Sequence, residues 1–518
     1  MNQDDVDTRM DLEEKDNSPP SPSETRTIVY FKPNDQDNPY NWPLWKKVYI
    51  SLSAVALVFN STISTSIPSN CMDTMSVDLH ISESSFYLPV AVYMVGYIFG
   101  PLVFSPMSET FGRKLIIFST FSTFVLFTLG CALTKSLAAL LVFRFITGAC
   151  GCVPLTVIGG LYADIYRDPV TRGRAMAMFM ASTMFGPCLG PVIAGSVPNW
   201  RWAFWVALMI AGCSWIPMAF LPETFGPIIL KRRAQRLRKT TGNPNFVAPV
   251  ELETRSFSAL AVVILTRPLR MLMFEPIVLS TCLYMATVYG FFYLFLEAYP
   301  IIFQTSDIYN FTNAQVGLAF LPIGVGAIGT GVWVLCYDTY LISAKEKGKS
   351  WASSEEFRRL PVTCVGGPFC TVGLFWLAWS ARSSVHWIVP CLSGLPFGFG
   401  YLSIFIGLNN YLTDAYEIFA ASAMAAGCFS RSLIAVAVPF AAQPMYNRLG
   451  VAWATSLLGF LSLPMVFVPF VLIYFGTEIR KRSEFCQFLL QRRQKLAEEE
   501  KEREERMLRE KGQQRSEV

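Results

Sequence analysis

Charge is what this sequence has least of. Lys, Arg, Asp and Glu make up only 16% of its 518 residues, while 52% are apolar, against roughly a quarter charged in an average soluble protein. That deficit argues against several water-soluble domains and for a surface that faces lipid. The net charge is only +5, and the basic residues lie beside hydrophobic runs instead of forming one stripe, which excludes a nucleic-acid-binding reading. None of the 13 cysteines falls in paired CxxC spacing, and most, including Cys131, Cys150, Cys152, Cys188 and Cys213, sit inside apolar runs. They read as small buried side chains, so neither a metal nor a disulfide framework is expected. No nucleophile–base pair emerges in the loops, so no enzyme activity and no cofactor are expected. The first 45 residues are acidic and polar and include Ser18-Pro-Pro-Ser-Pro22. They lack the basic-then-apolar order of a cleavable signal peptide and read as a disordered cytosolic tail.

What the chain does have is long uncharged runs. A hydrocarbon layer of ~30 Å needs about 20 apolar residues in a helix, because nothing there but the helix itself satisfies backbone groups. Twelve segments meet that test, at about 48–68, 86–107, 115–134, 137–163, 175–198, 202–221, 273–299, 314–337, 361–381, 385–412, 418–443 and 450–475. Lys and Arg at the span ends set the orientation. With the N-terminus cytoplasmic, the inner side receives Lys46, Lys47, Arg113, Lys114, Arg167, Arg172, Arg174, the basic 222–272 loop, Lys345 through Arg359 and Arg480-Lys-Arg482, while the outer side receives only Lys135, Arg201, Arg382 and Arg448. The expected class is therefore an all-α membrane protein. Its two six-helix bundles, 46–221 and 273–475, are joined by the cytosolic loop and followed by a charged cytosolic tail, 476–518. In that tail Glu498 to Arg509 alternates charges at helical spacing, as a solvated helix does. Two equal bundles point to a ligand site between them near the midplane.

Several residues inside or beside these spans carry chemistry. The turn after span 2 reads Ser105-Pro-Met-Ser-Glu-Thr-Phe-Gly-Arg-Lys114. There Glu109, Gly112, Arg113 and Lys114 can form a charge latch, with Glu109 favouring the positive N-terminal end of a neighbouring helix. Arg144 lies in an otherwise uncharged span 4, and Arg431 poses the same problem in span 11. A cation at mid-membrane costs at least ~2.5–3.5 kcal/mol on insertion scales, so each is expected to face a partner or a wet cavity. Glu297, in Phe-Phe-Tyr-Leu-Phe-Leu-Glu-Ala-Tyr-Pro, is a carboxylate among apolar and aromatic residues, a candidate proton carrier, while span 1 offers only Asn60. Span 5 carries Gly186-Pro-Cys-Leu-Gly-Pro191, whose glycines permit close helix approach and whose prolines remove ladder bonds. Asn310-Phe-Thr312, in the outer loop between spans 7 and 8, can accept a glycan.

The basic turn after span 2, Arg144 with Gly148, and the doubled Gly-Pro of span 5 resemble three signature motifs of the major facilitator superfamily, the last being associated with antiporters. Asn199-Trp-Arg-Trp-Ala-Phe-Trp205, Leu221-Pro-Glu-Thr-Phe-Gly-Pro, Asn409-Asn-Tyr-Leu-Thr-Asp-Ala-Tyr416 and Met445-Tyr-Asn-Arg-Leu-Gly450 are similar to its fungal twelve-span drug:proton antiporter branch, which includes polyamine exporters. The resemblance covers about residues 38–485. Ser105 and Thr110 depart from the usual glycine and basic residue of the first motif.

The resemblance implies alternating access driven by protons. Glu109, Gly112 and Arg113 become gate residues, Arg144 a proton-coupling residue, and Gly186, Pro187, Gly190 and Pro191 an antiporter hinge. The expected function is proton-coupled efflux of amphipathic small molecules such as drugs, toxins or secondary metabolites, with Glu297 and Arg144 coupling protons and Arg431 holding an anionic partner or substrate. Phe291, Phe292 and Tyr293 suit apolar solutes. The alternatives are a polyamine exporter, which needs several cavity carboxylates, and a non-transporting nutrient sensor of the same fold. The chain is expected to work as a monomer among membrane lipids, in the plasma or vacuolar membrane.

Overall fold

The computed structural model describes residues 27–491 except 33, 81–84, 86, 253–256, 305–307, 417–418 and 484. Eleven of its helices are long and apolar enough to cross a membrane. In the first half they are Leu44–Asn70, Leu88–Phe111, Arg113–Leu133, Leu137–Ile165, Val170–Ser196 and Trp200–Ala219, spans 1 to 6. In the second half Pro276–Gln304, Asn313–Glu346, Glu356–Ser380 and Ile388–Tyr416 are spans 7 to 10, and Pro444–Arg482 is span 12. The apolar stretch of span 11 is shorter, Ser422–Val438, but its helix continues from Ala420 to a sharp bend at Gly450, where φ is 70°. The chain thus has the all-α, twelve-helix architecture that its hydrophobic runs predict. Helical hydrogen bonds satisfy most of each span's backbone, which lipid demands.

The two halves repeat one device on the face rich in Lys and Arg, here called the basic face. Arg113, opening span 3, donates from Nε to Asp164 Oδ2 at the end of span 4 (3.4 Å). In the second half Arg359, near the start of span 9, donates from Nε to Asp414 Oδ2 at the end of span 10 (2.9 Å). Close helix crossings within each half rest on small residues. A Cβ on Gly148 of span 4 would collide with the Tyr93 carbonyl of span 2, and one on Gly400 of span 10 with the Cys370 backbone of span 9.

Two segments outside the spans are more ordered than their composition suggests. Residues 27–32 and 34–43, expected as part of a disordered tail, are folded. Strand β1 (Thr27–Ile28) pairs in parallel with β2 (Phe246–Val247) of the segment between the halves. That segment, expected as a loop, contains the helices Gly226–Thr241 and Phe257–Phe274. Val29 packs with Leu230, Ala234 and Ala248 in a small core of its own, so the apolar positions of a basic helix find cover. Arg233 donates to Asp35, and this bond holds the Asp35 carboxyl below the usual carboxylate range. Tyr40 Oη donates to the Ala163 carbonyl (3.2 Å), tying the same strap to the end of span 4. The expected charged helix of 498–509 lies outside the described residues.

Candidate functional site

A small hollow lies between the halves, and both build it. The first half contributes Thr62 and Thr65 of span 1, Tyr97 of span 2, and Met180, Met184 and Pro187 of span 5. The second half contributes Tyr289 and Phe292 of span 7, Tyr401 and Phe405 of span 10, and Cys428 and Arg431 of span 11. The rings form a continuous wall: Tyr401 stacks on Phe405 with centroids 4.5 Å apart, Phe292 meets Tyr401 at 5.1 Å, and Tyr289 meets Phe405 at 6.0 Å. The volume is about 40 Å³, enough for a few waters and far below the ~300–1,000 Å³ of a drug-sized ligand site. This is a closed state.

Contacts between the halves shut both ends. On the basic face Arg172 of span 5 reaches Asp414 of span 10 (3.7 Å), which also holds Arg359 (2.9 Å) and Arg358 (3.9 Å). On the opposite face Asn70 Nδ2, at the end of span 1, donates to the carbonyls of Pro191 in span 5 (2.9 Å) and Asn313 in span 8 (2.8 Å). Beside it a Cβ on Gly317 would come within 2.8 Å of Val192 Cα, so spans 5 and 8 touch backbone to backbone.

The three intramembrane ions do not converge. Arg144 is wholly buried within the first half. It donates to backbone carbonyls of Pro89 (3.0 Å), Ser64 (2.7 Å) and Thr65 (3.4 Å), and its guanidinium lies 4.3 Å from the Tyr93 ring centre. It clamps spans 1, 2 and 4 behind the cavity wall. Glu297 lies toward the face opposite the basic one, within electrostatic reach of Tyr87 of the first half and of Tyr446, just before the Gly450 bend, and forms no ion pair among the described residues. Only Arg431 lines the hollow, 5.3 Å from the Phe405 ring centre and 5.9 Å from that of Tyr289. Asn60 is turned away, because its amide donates to the Ala56 carbonyl and to Ser214 Oγ of span 6, both at 2.7 Å. Its amide is used in packing spans 1 and 6.

The basic turn after span 2 is built differently from the expected latch. Glu109 is 42% exposed and only 3.8 Å from Arg113. Glu223, just after span 6, holds the helix N-terminus instead: its Oε1 accepts from the backbone N–H of Arg113 (2.9 Å), Thr224 and Phe225 (both 3.1 Å). Helix starts attract a carboxylate because their N–H groups lack partners. Gly112, with φ of 100°, makes the turn and lies against this carboxylate. Arg113 also donates to Ser108 Oγ (2.6 Å), while Lys114 is half-exposed. Leu221-Pro-Glu stood out in the sequence, but nothing local in it marks Glu223 as a partner of residues 110 positions earlier.

Gly186 and Gly190 press span 5 against Thr62 and Ser66 of span 1. Pro187 and Pro191 interrupt the ladder without breaking the helix Pro169–Ser196. Proline has no N–H, so the carbonyls of Thr183 and Pro187, two cavity-lining residues, lose their intrahelical donors. Asp168 caps that helix by accepting from the Thr171 hydroxyl and backbone N–H, which lowers its carboxyl below the usual range. Asn310 is exposed in the loop between spans 7 and 8. Among the described residues no three His, Cys, Asp or Glu side chains cluster for a metal.

A second groove of about 560 Å³, along spans 8, 9 and 10, is larger, but Val325, Pro368, Phe369, Val372 and Trp376 give it apolar walls from one half alone. Its described lining is almost wholly apolar and offers little to orient a solute.

A sequence model of the family described as Major Facilitator Superfamily matches residues 52–439. The chain is 37% identical over 466 residues to the efflux pump FUB11 of Gibberella moniliformis, covering 88% of this chain and 77% of that one. It is 34% identical over 464 residues to polyamine transporter 3 of Saccharomyces cerevisiae, covering 88% and 73%. Among solved structures, the proton:xylose symporter XylE superposes with a TM-score of 0.59 at 18% identity, over 82% of this chain and 96% of that one.

Proposed function

Because the chain belongs to the major facilitator superfamily and is a membrane transporter rather than an enzyme, we propose that it exports amphipathic small molecules in exchange for protons, opening its central hollow to one face at a time. The observation that carries this reading is the hollow itself, walled by both halves and shut by a separate set of contacts on each face. Opening the basic face breaks Arg172–Asp414 and leaves the Asn70 bonds intact; opening the other face does the reverse. FUB11, an efflux pump, supports the outward direction. Aromatic rings and methionine thioethers suit apolar parts of a solute, and threonine hydroxyls its polar atoms.

In this reading Glu297 takes up the proton. It stands between the halves with no cation among the described residues to hold it ionised, so loading and release follow the opening and closing of its surroundings. Arg144 is a positioning residue: its grip on the Ser64 and Thr65 carbonyls fixes the part of span 1 whose Thr62 and Thr65 line the hollow. Arg113, Gly112, Glu223 and Asp164 hold the basic end of the first half as one rigid piece, with Glu109 and Lys114 at its rim. The Gly186–Pro191 segment is the hinge. A glycan on Asn310 would mark the face opposite the basic one as outside, at the plasma or vacuolar membrane. The test is Glu297→Gln in proteoliposomes. It is expected to abolish pH-gradient-driven efflux while leaving the melting temperature and substrate binding intact; full retained coupling would remove Glu297 from the mechanism.

A further inference from the structure

The charge inside the hollow narrows what it carries. Arg431 lines it, beside the Cys428 thiol, and forms no ion pair among the described residues. No Asp or Glu is among the described lining residues. Glu297 and the buried acids Glu223, Glu275, Asp338 and Glu356 all lie outside that lining. Among the described residues, the cavity lining therefore holds one guanidinium and no counter-ion.

A cation withdrawn from water is costly unless an anion joins it. Here the described lining residues supply none. The guanidinium is a planar fork that accepts a carboxylate or sulfonate through two parallel N–H bonds. Around it the Tyr401 and Tyr289 rings lie 4.5 and 6.0 Å from that of Phe405, centroid to centroid, a surface on which a flat apolar body packs. We infer that the hollow selects monoanionic organic acids carrying an aromatic ring, with Arg431 as the specificity-determining residue that receives the acid group. The inference rests on the reading of this hollow as the transport site. It also sets polyamines aside, because a polycation entering here would meet a like charge and no carboxylate.

The experiment compares three probes of one shape on the purified full chain: 1-naphthoate, the neutral 1-naphthamide, and the cation 1-naphthylmethylamine. Binding is measured by calorimetry at pH 7.5, and flux in proteoliposomes against protein-free liposomes. Wild type is expected to bind naphthoate at least tenfold more tightly than the amide or the amine. Arg431→Gln is expected to erase that preference, weakening naphthoate at least tenfold and leaving the amide within about twofold. Arg431→Lys keeps the charge without the fork and falls between. Since Arg431 has no ion partner to strand among the described residues, Arg431→Gln is expected to fold, checked by its melting temperature; the wild-type ranking of probes needs no variant at all. The inference is overturned if the amine or amide binds wild type as well as naphthoate does, if naphthoate binding is indifferent to Arg431, or if none of the three binds at millimolar concentration. Amine or amide flux without naphthoate preference would leave the transport reading standing. Arg431-dependent naphthoate binding without flux would instead sink that reading and leave this one.

Discussion

Arg172→Gln isolates the closure of the basic face, because Asp414 keeps Arg358 and Arg359 and only the tie between the halves is lost. At 3.7 Å and an effective dielectric of about 20, Coulomb's law allows at most ~4.5 kcal/mol. Arg172 is 30% exposed and Asp414 11%, and Asp414 is shared among three arginines. Solvent screening, side-chain entropy and this sharing bring the net closer to the ~1 kcal/mol at the top of the range for exposed pairs. That shifts the open-to-closed ratio about fivefold. A reporter is already in place: Cys428 lines the hollow and is 3% exposed, so it meets a water-soluble alkylating reagent only when the hollow opens. With opening fast relative to alkylation, the rate follows the open population. In nanodiscs, with Cys428 followed by peptide mass spectrometry, Arg172→Gln should react about five times faster than wild type. Asp414→Asn should react faster still, and adding Arg172→Gln to it should change nothing more. A single-variant rate within twofold of wild type, or an undiminished Arg172 effect when Asp414 is already Asn, would refute the assignment of this pair as the closure.

Two further outcomes follow from the packing. Gly317→Val places a branched side chain where Val192 Cα and the Pro191 carbonyl stand 2.8 and 2.9 Å from the first new atom. Neither can rotate away, so an overpacking cost of about 1–3 kcal/mol falls on the closed state; Cys428 alkylation should rise at least fivefold, now through the other face. Arg144→Lys cannot reach the carbonyls of both Pro89 and Ser64 with one ammonium, nor stack on Tyr93. Stranding buried carbonyls costs about 1–3 kcal/mol each, so the variant should show a lower melting temperature and less monodisperse protein on size-exclusion chromatography.

The membrane helices were legible because lipid leaves a chain few choices: a long run of Leu, Phe, Val and Ile has to satisfy its own backbone. Cys152, Phe320 and Phe467 mark places where spans 4, 8 and 12 each divide into two abutting helices, and no period in the sequence announces them. Arg431 was legible as a cation in need of a partner or a cavity, and it stands among the residues lining the hollow between the halves. Arg144 was legible as a problem but not in its solution, since backbone carbonyls, unlike carboxylates, leave no mark in a sequence. Glu223 displaced Glu109 for a related reason. Proximity along the chain favoured Glu109, while the helix start that needs a carboxylate is reached across 110 residues by Glu223. Asp164 and Asp414 could have been found together, as the acids closing spans 4 and 10 at nearly matching distances from Arg113 and Arg359, 51 and 55 residues. The strap of 27–43 was hidden because two residues of strand are too few to show an alternation.

That strap decides where the molecule divides. Through β1 and β2, the Val29 cluster and the Asp35–Arg233 bond, the stretch up to Val250 is fastened to chain that precedes span 1. Interrupting the polypeptide after Leu252 would thus yield two fragments, the first carrying its own fastener and everything it grips. A tag that replaces residues 27–35 would undo the join from the other end and release the connecting helix from the bundle it rides on.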